Sequence, residues 1–256
     1  MLSQKELKEF LDAKSTQFNH PDFIADDPIQ IPHSFSKKED IEISAFLSAT
    51  IAWGQRKTII KNGFRMMELM DNEPYDFVLH ASNNELNVLN DFKHRTFNGI
   101  DLRFFVLGLR NLYQKGNKKV SGFEMAFANC NSAADAIDQF RNLMLETNHE
   151  SRSEKHISSP AKGSAAKRIN MFLRWMVRKD EQGVDFGIWN VLSTSQLMIP
   201  LDVHTGNMAR KLGLISRNQN DWKALEELMS TMRKFDTVDP SKYDFALFGL
   251  GVNEEF

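Results

Sequence analysis

The chain has 256 residues, 41% hydrophobic and 26% charged, a composition typical of a globular protein with one large core or two modest lobes. Its single cysteine, Cys130, excludes an internal disulfide framework and a four-cysteine iron–sulfur cluster, and no apolar run approaches the roughly 20 residues that span a membrane. The charged N-terminus MLSQKELKEF is unlike a secretory signal, so we expect a cytoplasmic protein that does not act at membranes.

Apolar residues recur at helical spacing in several segments, and no segment shows the alternation of a half-buried strand. The segments predicted as helices are, in chain order, 39–53, 101–114, 132–146, 164–179, 221–235 and 239–251. The last one has Asp239 as its cap and Pro240 in its first turn, and we expect it to end at Gly249 and Gly251. The segments predicted as loops are 19–38, 146–163 and 180–196. The sequence therefore predicts an all-α fold.

The predicted loops divide the helices into sets, although the chain contains no internal repeat and no low-complexity linker. We therefore expect a single domain, residues 1–256, rather than two domains joined by a flexible segment. In this arrangement the helices form two lobes with a groove between them.

Charge is distributed unevenly along the chain, although the net charge is only −2. The segment from Arg152 to Lys179 contains a single acid, Glu154, among many cations. Because the helix 164–179 has one apolar face, we expect Lys167, Arg174 and Arg178 to lie near its opposite side. Such a cationic segment is either a solvated face or a phosphate-binding surface on an otherwise acidic protein.

The stretch MIPLDVHTGNMARKLG, residues 198–213, places Asp202 between an apolar run and the start of a helix. Aspartate is a favoured N-cap, so its carboxylate is expected to accept the backbone N–H of His204 or Thr205. The helix dipole stabilises an anion at this position. A capping role and a chemical role for Asp202 are therefore compatible.

A turn of small residues precedes a lysine in SSPAKGSAAKRINMFLRWM, residues 158–176. Small residues let the backbone approach a phosphate, and the first N–H groups of the following helix can bind it. The order of this turn, Lys167 in the first helical turn, a connection and the Asp202-capped helix resembles the helix-hairpin-helix DNA glycosylase superfamily. The resemblance covers about residues 160–251, and the segments 199–214 and 239–251 are similar to the archaeal 8-oxoguanine DNA glycosylase branch.

This resemblance implies a glycosylase-like fold with a hairpin motif, in which Lys167 and Asp202 are the catalytic residues. A lysine amine can attack the sugar C1′ and form a Schiff base, and a carboxylate stabilises the positive charge that develops on the sugar. Attack requires the neutral amine, which partial burial and the neighbouring Arg168 favour.

The resemblance also implies residues that bind DNA. The predicted backbone contacts are Lys162, Gly163, Arg168, Arg174 and Arg178. Gln55 is either a polar wedge that fills the duplex when a base is flipped out or a surface residue at a helix end. Trp53 and Trp189 are predicted to line the base pocket. Over its whole length the chain is similar to a bacterial family catalogued as a domain of unknown function, notably in SATIAWGQR (48–56) and KHRTFNG (93–99).

These observations predict a monomeric DNA repair glycosylase, with or without AP lyase activity, that excises an oxidised purine such as 8-oxoguanine from damaged double-stranded DNA. It needs no cofactor and no metal. The alternative is a non-catalytic nucleic-acid-binding protein of the same fold, in which Lys167 contacts phosphate. An all-α metal hydrolase is disfavoured, because the sequence contains neither an HExxH motif nor a His-Asp dipeptide, and His204 with Asp202 offers only two ligands.

Overall fold

The computed structural model of the chain describes residues 2–114 and 122–253. The regular structure in these residues is almost entirely helical, which confirms the predicted all-α class. The α-helices are α1 (Gln4–Phe18), α2 (Asp22–Ala25), α3 (Lys38–Thr50), α4 (Arg56–Glu68), α5 (Pro74–His80), α6 (Gly99–Gln114), α7 (Ala133–Leu145), α8 (Lys167–Val177), α9 (Val203–Lys211), α10 (Trp222–Phe235) and α11 (Tyr243–Asn253). Within the same residues, no helix is long and apolar enough to cross a membrane.

Short elements fill the connections between the α-helices. The 3-10 helices are Pro28–Gln30, Pro32–Ser34, Glu85–Asp91, Glu124–Phe127, Ser151–His156, Pro160–Lys162, Thr194–Gln196 and Pro240–Lys242. Two strands of two residues each, β1 (Lys93–His94) and β2 (Phe97–Asn98), form an antiparallel hairpin in which His94 pairs with Phe97. The predicted loops 19–38 and 146–163 therefore contain short helical turns rather than irregular chain alone.

The helical periodicity locates α3, α6, α7, α8 and α10 to within three residues at each end. It does not predict α4, in which Gly63 interrupts the apolar pattern. The structure favours glycine at this position, because a Cβ there would overlap the Ile31 side chain. The predicted end of the last helix at Gly249 and Gly251 is wrong, since α11 continues to Asn253. These glycines instead allow close packing: a Cβ on Gly249 would overlap the Phe18 ring.

The chain divides into two compact units. The terminal unit comprises Met1–Ala25 and Ser159–Phe256, and the central unit comprises Asp26–Ser158. In the terminal unit α11 packs against α1 and α9. The buried Tyr243 at the start of α11 donates its hydroxyl to Asp12 Oδ1 of α1 at 2.9 Å, which joins the first and last helices of the chain.

Aromatic side chains form the core of the central unit. The Phe140 ring on α7 stacks on Phe127 with centroids 4.6 Å apart, and it meets Phe46 and Phe123 edge-on or tilted at 5.3 and 5.6 Å. Phe105 of α6 stacks on Phe46 at 5.5 Å. Because these rings come from α3, α6, α7 and the chain before α7, their contacts hold the unit together.

Phe140→Ala is expected to lower the free energy of unfolding by about 3–5 kcal/mol, because it removes a fully buried ring from this cluster. Urea denaturation followed by circular dichroism measures the loss. The control is Val88→Ala, which trims a side chain of the same unit that is 45% exposed and should change little. Equal effects of the two substitutions would contradict a central role for the aromatic cluster.

Candidate functional site

The turn that leads into α8 has unusual backbone geometry. Ser159 accepts the Lys162 N–H with its side chain at 3.3 Å, and Gly163 follows in the left-handed region with φ +85°. Ala166, directly before α8, also has a left-handed conformation, with φ +47°. That conformation costs roughly 1–2 kcal/mol in a residue with a Cβ. The two left-handed residues turn the chain so that Lys167 is the first residue of α8.

Asp202 caps α9 as predicted. Its Oδ1 accepts the Thr205 N–H at 2.9 Å, and its backbone is extended, as at most N-caps. The preceding residues Leu197–Leu201 are buried, with Leu201 only 2% exposed, so the apolar run anchors the cap in the core. Asp202 is thereby held at the boundary between the interior and solvent.

The structure brings Lys167 and Asp202 together. The Lys167 Nζ lies 3.8 Å from Asp202 Oδ2, and the two side chains are 31% and 18% exposed. Oδ1 binds the helix backbone, so Oδ2 is the carboxylate oxygen that faces the amine. The pair therefore combines a partly buried amine with an oriented carboxylate, the two groups needed for nucleophilic and electrostatic catalysis.

The prediction that Arg174 and Arg178 contact phosphate is wrong. They are 4% and 3% exposed and lie inside the terminal unit. Arg174 pairs with Asp185 and Asp244, and Arg178 pairs with Asp185 at 3.1 Å as well as with Asp180 and Asp239. Burying a charged side chain requires such partners, and here the acids come from the connection after α8 and from the chain before and within α11.

The prediction that Trp189 lines a base pocket is also wrong. It is 2% exposed, and its ring packs edge-on against Phe172 with centroids 5.1 Å apart. A stacking surface needs an open ring face, which this buried indole lacks. Trp53, the second predicted pocket residue, is half-buried in the central unit, edge-on to His94 at 5.0 Å and stacked on His156 at 6.0 Å.

The remaining predicted DNA contacts lie at or near the surface. Lys162 and Gly163 are exposed in the turn before α8, in the same unit as Lys167 and Asp202. Arg168 is half-exposed as a residue, but its guanidinium is largely desolvated, which lowers the pKa of that group. Gln55 is exposed at the N-cap position of α4 in the central unit, where its side chain makes no capping hydrogen bond.

A surface cavity of about 380 Å³ lies beside α9 in the terminal unit. Its lining residues are His204, Asn207, Met208, Arg210, Lys211 and Gly251. Arg210 and Lys211 are cationic, Asn207 carries an amide, and none of the six lining residues is an acid. Its chemistry suits an anionic group such as phosphate.

Further exposed cations lie outside the segment from Arg152 to Lys179, on two neighbouring elements of the central unit. They are Arg56, Lys57 and Lys61 of α4 and Lys93 and Arg95 of the β1–β2 hairpin, and we refer to them as the central cationic surface. His94 joins the two elements, with Nδ1 2.8 Å from Asn62 Nδ2 and Nε2 3.1 Å from the Trp53 carbonyl oxygen. The sequence could have indicated this cationic surface, because residues 51–67 and 92–100 contain no acid.

Asp244 links the buried arginines electrostatically to the candidate pair. Burial, together with the negative charges of Asp202 and Asp185, raises the pKa of Asp244 to about 6, although it is paired with Arg174. The folded protein therefore binds this proton more tightly than the unfolded chain, in which an aspartate titrates at about 3.9. Its contribution to stability is complete below that pH and is lost as the pH rises through about 6.

Between about pH 4 and pH 7, the wild-type free energy of unfolding should fall by up to about 3 kcal/mol more than that of Asp244→Asn, which cannot release this proton. Urea denaturation at a series of pH values measures both slopes. Asp91→Asn, which neutralises an exposed carboxylate in the central unit, should retain the wild-type slope. Parallel curves for wild type and Asp244→Asn would show that this carboxyl group is not responsible.

Residues 27–253 match the model of a protein family whose description is "Protein of unknown function (DUF2400)". Neither the curated proteins nor the solved structures contain a match to the chain. In residues 2–114 and 122–253, no group of three or more His, Cys, Asp or Glu side chains is arranged to hold a metal ion.

Proposed function

The chain belongs to this family of proteins of unknown function, and we propose that it is a DNA glycosylase acting through Lys167. The proposed reaction removes an oxidised purine such as 8-oxoguanine from double-stranded DNA. The observation that carries the proposal is the 3.8 Å separation between Lys167 Nζ and Asp202 Oδ2. The order of turn, lysine and aspartate-capped helix, which resembles the helix-hairpin-helix DNA glycosylases, supports the same assignment.

In the proposed reaction the neutral Lys167 amine attacks C1′ while the glycosidic bond breaks and its electron pair leaves with the purine, which takes up a proton. The attached nitrogen then gives up a proton and O4′ gains one, the C1′–O4′ bond breaks, and the nitrogen lone pair forms the C1′=N bond of a Schiff base with the opened sugar. Water releases it as an abasic site, or elimination of the 3′ phosphate follows. Asp202, held through Oδ1, presents negative charge to the sugar as positive charge develops there.

The distribution of exposed cations supports binding of a nucleic-acid backbone. Lys162 lies in the turn before Lys167, and the cavity beside α9 is lined by Arg210 and Lys211. In the other unit the central cationic surface lies on α4 and on the β1–β2 hairpin, whose His94 contacts Trp53. Neutralisation of phosphates by such side chains releases counterions, which makes binding strongly dependent on salt.

A second candidate function is nucleic-acid binding without catalysis. The central cationic surface favours it, because these five exposed cations belong to the unit that does not contain the Lys167–Asp202 pair. In that case Lys167 contributes a phosphate contact and Asp202 is only a helix cap. The two candidates differ in what happens when the negative charge of Asp202 is removed without removal of the cap.

Asp202→Asn should reduce single-turnover excision by about 100-fold or more, because it removes the charge that faces the developing cation. Its melting temperature should stay near that of wild type, since Asn caps a helix about as well as Asp. Asp202→Ala should lose both activity and about 1 kcal/mol of cap stability, which lowers the melting temperature by about 2–4 °C. Calorimetry and excision from duplexes with a single 8-oxoguanine measure these effects.

Lys167→Gln should abolish borohydride trapping of the protein on the same duplex, whereas Lys234→Gln, at an exposed position near the end of α10, should leave trapping intact. Wild-type excision by Asp202→Asn would return Asp202 to a capping role alone. Trapping that survives Lys167→Gln would assign the nucleophile to another residue.

Lys57→Glu combined with Arg95→Glu should weaken binding to damaged and undamaged duplexes alike. If each residue contacts one phosphate, the slope of log affinity against log salt concentration decreases by about 2. Fluorescence anisotropy with labelled duplexes over a series of salt concentrations measures both quantities.

The matched control is Arg65→Glu combined with Arg103→Glu, which changes the net charge of the central unit equally. Arg65 lies near the far end of α4, beside Glu68, and Arg103 is bonded to Asn83 and Asn87. A loss of affinity as large in the control as in the test variant would indicate a general effect of net charge and no role for the central cationic surface.

A further inference from the structure

The segment Asn220–Trp222 contacts the chain beside both members of the candidate pair. Asn220 Nδ2 donates a hydrogen bond to the Asp202 carbonyl oxygen at 2.8 Å. The Trp222 N–H donates to the Gly163 carbonyl oxygen at 3.0 Å, and Ser164 pairs with Asp221 in an isolated antiparallel bridge. One short segment therefore joins the residue that carries the carboxylate to the turn that leads into Lys167.

The amide of Asn220 is held in one orientation by its two partners. While Nδ2 binds Asp202, Oδ1 accepts from Arg210 Nη2 at 2.6 Å. Arg210 Nε in turn donates to the Arg217 carbonyl oxygen at 2.7 Å. Arg217 Nε binds Asp221 Oδ1 at 3.0 Å, so the loop before α10 is closed on itself. The side chains that brace the segment are thus Arg210 of α9 and Arg217 of the loop itself, and neither the Lys167 amine nor the Asp202 carboxylate takes part.

Gly206 in the first turns of α9 provides the space for this contact. A Cβ at Gly206 would lie 2.5 Å from Asn220 Oδ1 and 3.0 Å from Arg210 Nη1. Glycine within a helix costs about 1 kcal/mol relative to alanine, and here its absent side chain lets the Asn220 amide reach the Asp202 backbone. The Gly206 N–H also donates to the Asp202 carbonyl oxygen, at 2.9 Å. That oxygen is therefore bound by both the helix and the Asn220 side chain.

We propose that Asn220–Trp222 is a positioning clamp that sets the separation between the Lys167 amine and the Asp202 carboxylate. Lys167 and Asp202 belong to different helices, and the clamp ties their N-terminal ends to the same rigid loop. Its effect on base excision rests on the proposed function, but its effect on the distance between the two groups does not. Misplacement of reacting groups by about 1 Å can reduce a rate by about 100-fold.

Zero-length cross-linking with a water-soluble carbodiimide tests the distance directly. The reagent activates the carboxylate, and a neighbouring amine displaces it to form an amide, which mass spectrometry detects as a joined pair of peptides. Wild-type protein should give the Lys167–Asp202 cross-link. Asn220→Asp keeps an acceptor for Arg210 but removes the donor to Asp202, and it should lower the yield by about tenfold, as should Asn220→Ala.

The matched control for these variants is Asn218→Ala, which changes an exposed asparagine in the same loop and should leave the yield unchanged. The second arm of the clamp is tested with Trp222→Pro, which removes the N–H that binds Gly163. Proline is tolerated at the first position of a helix, and Trp222 occupies that position in α10. Trp222→Ala retains the N–H and controls for loss of the side chain, so the cross-link should fall more in Trp222→Pro.

Circular dichroism and melting temperature identify the variants that fold. If Asn220→Ala does not fold, the cross-link yields of Asn220→Asp and Trp222→Pro test the proposal. Excision in folded variants should fall in parallel with the cross-link, while their affinity for duplex DNA stays near that of wild type. A wild-type cross-link yield in folded Asn220→Asp and Trp222→Pro would overturn the clamp. A reduced yield, in a protein whose wild type excises no base, would support the clamp and reject the glycosylase proposal.

Discussion

Arg174 and Arg178 are fully charged side chains inside the terminal unit, and the arrangement of that unit depends on how their charges are compensated. Arg174 of α8 and Arg178, directly after α8, bind acids on the following connection, on the segment before α11 and on α11 itself. Arg174 also lies over the Phe245 ring, with its guanidinium carbon 4.4 Å from the centroid. A buried charge without a partner costs several kcal/mol, so α8 and α11 can pack only where these pairs form. The network thereby constrains the orientation of α8 relative to α11.

This orientation places the candidate pair. Lys167 occupies the first turn of α8, and α9 packs against α11, where the His204 ring lies 3.3 Å from the Gly251 carbonyl oxygen. Asp202, at the start of α9, is close enough to Asp244 of α11 to raise the pKa of that buried carboxyl group. The negative charge of the partly exposed Asp202 therefore acts on a buried carboxyl group of the same unit. The buried ion pairs and the candidate pair are therefore electrostatically linked through Asp244.

Local patterns in the sequence were reliable where the interaction is local. The Asp202 cap was predictable because its partner, the Thr205 N–H, lies three residues away in every helix that begins at this point. Gly163 and the small residues around it also indicated a turn before α8, and in the structure Gly163 is left-handed. The partners of Arg174 were not predictable, because Asp244 is far away in sequence and the charge pattern of one helix does not reveal it. Gly249 and Gly251 were misinterpreted as a helix end because the residues they contact are also distant in sequence. Gly249 packs against Phe18 of α1, and Gly251 packs against His204 of α9.

The sequence by itself determined the helical class, the position of most helices and the residue types that meet at the candidate site. It did so because hydrophobic periodicity and capping depend on neighbours within a few residues. Only the tertiary structure decided which cations are buried and which are exposed, and that Asn220 and Trp222 adjoin the Lys167–Asp202 pair. Those features depend on hydrogen bonds and ion pairs between segments far apart in the chain, whose geometry is defined only when the helices pack.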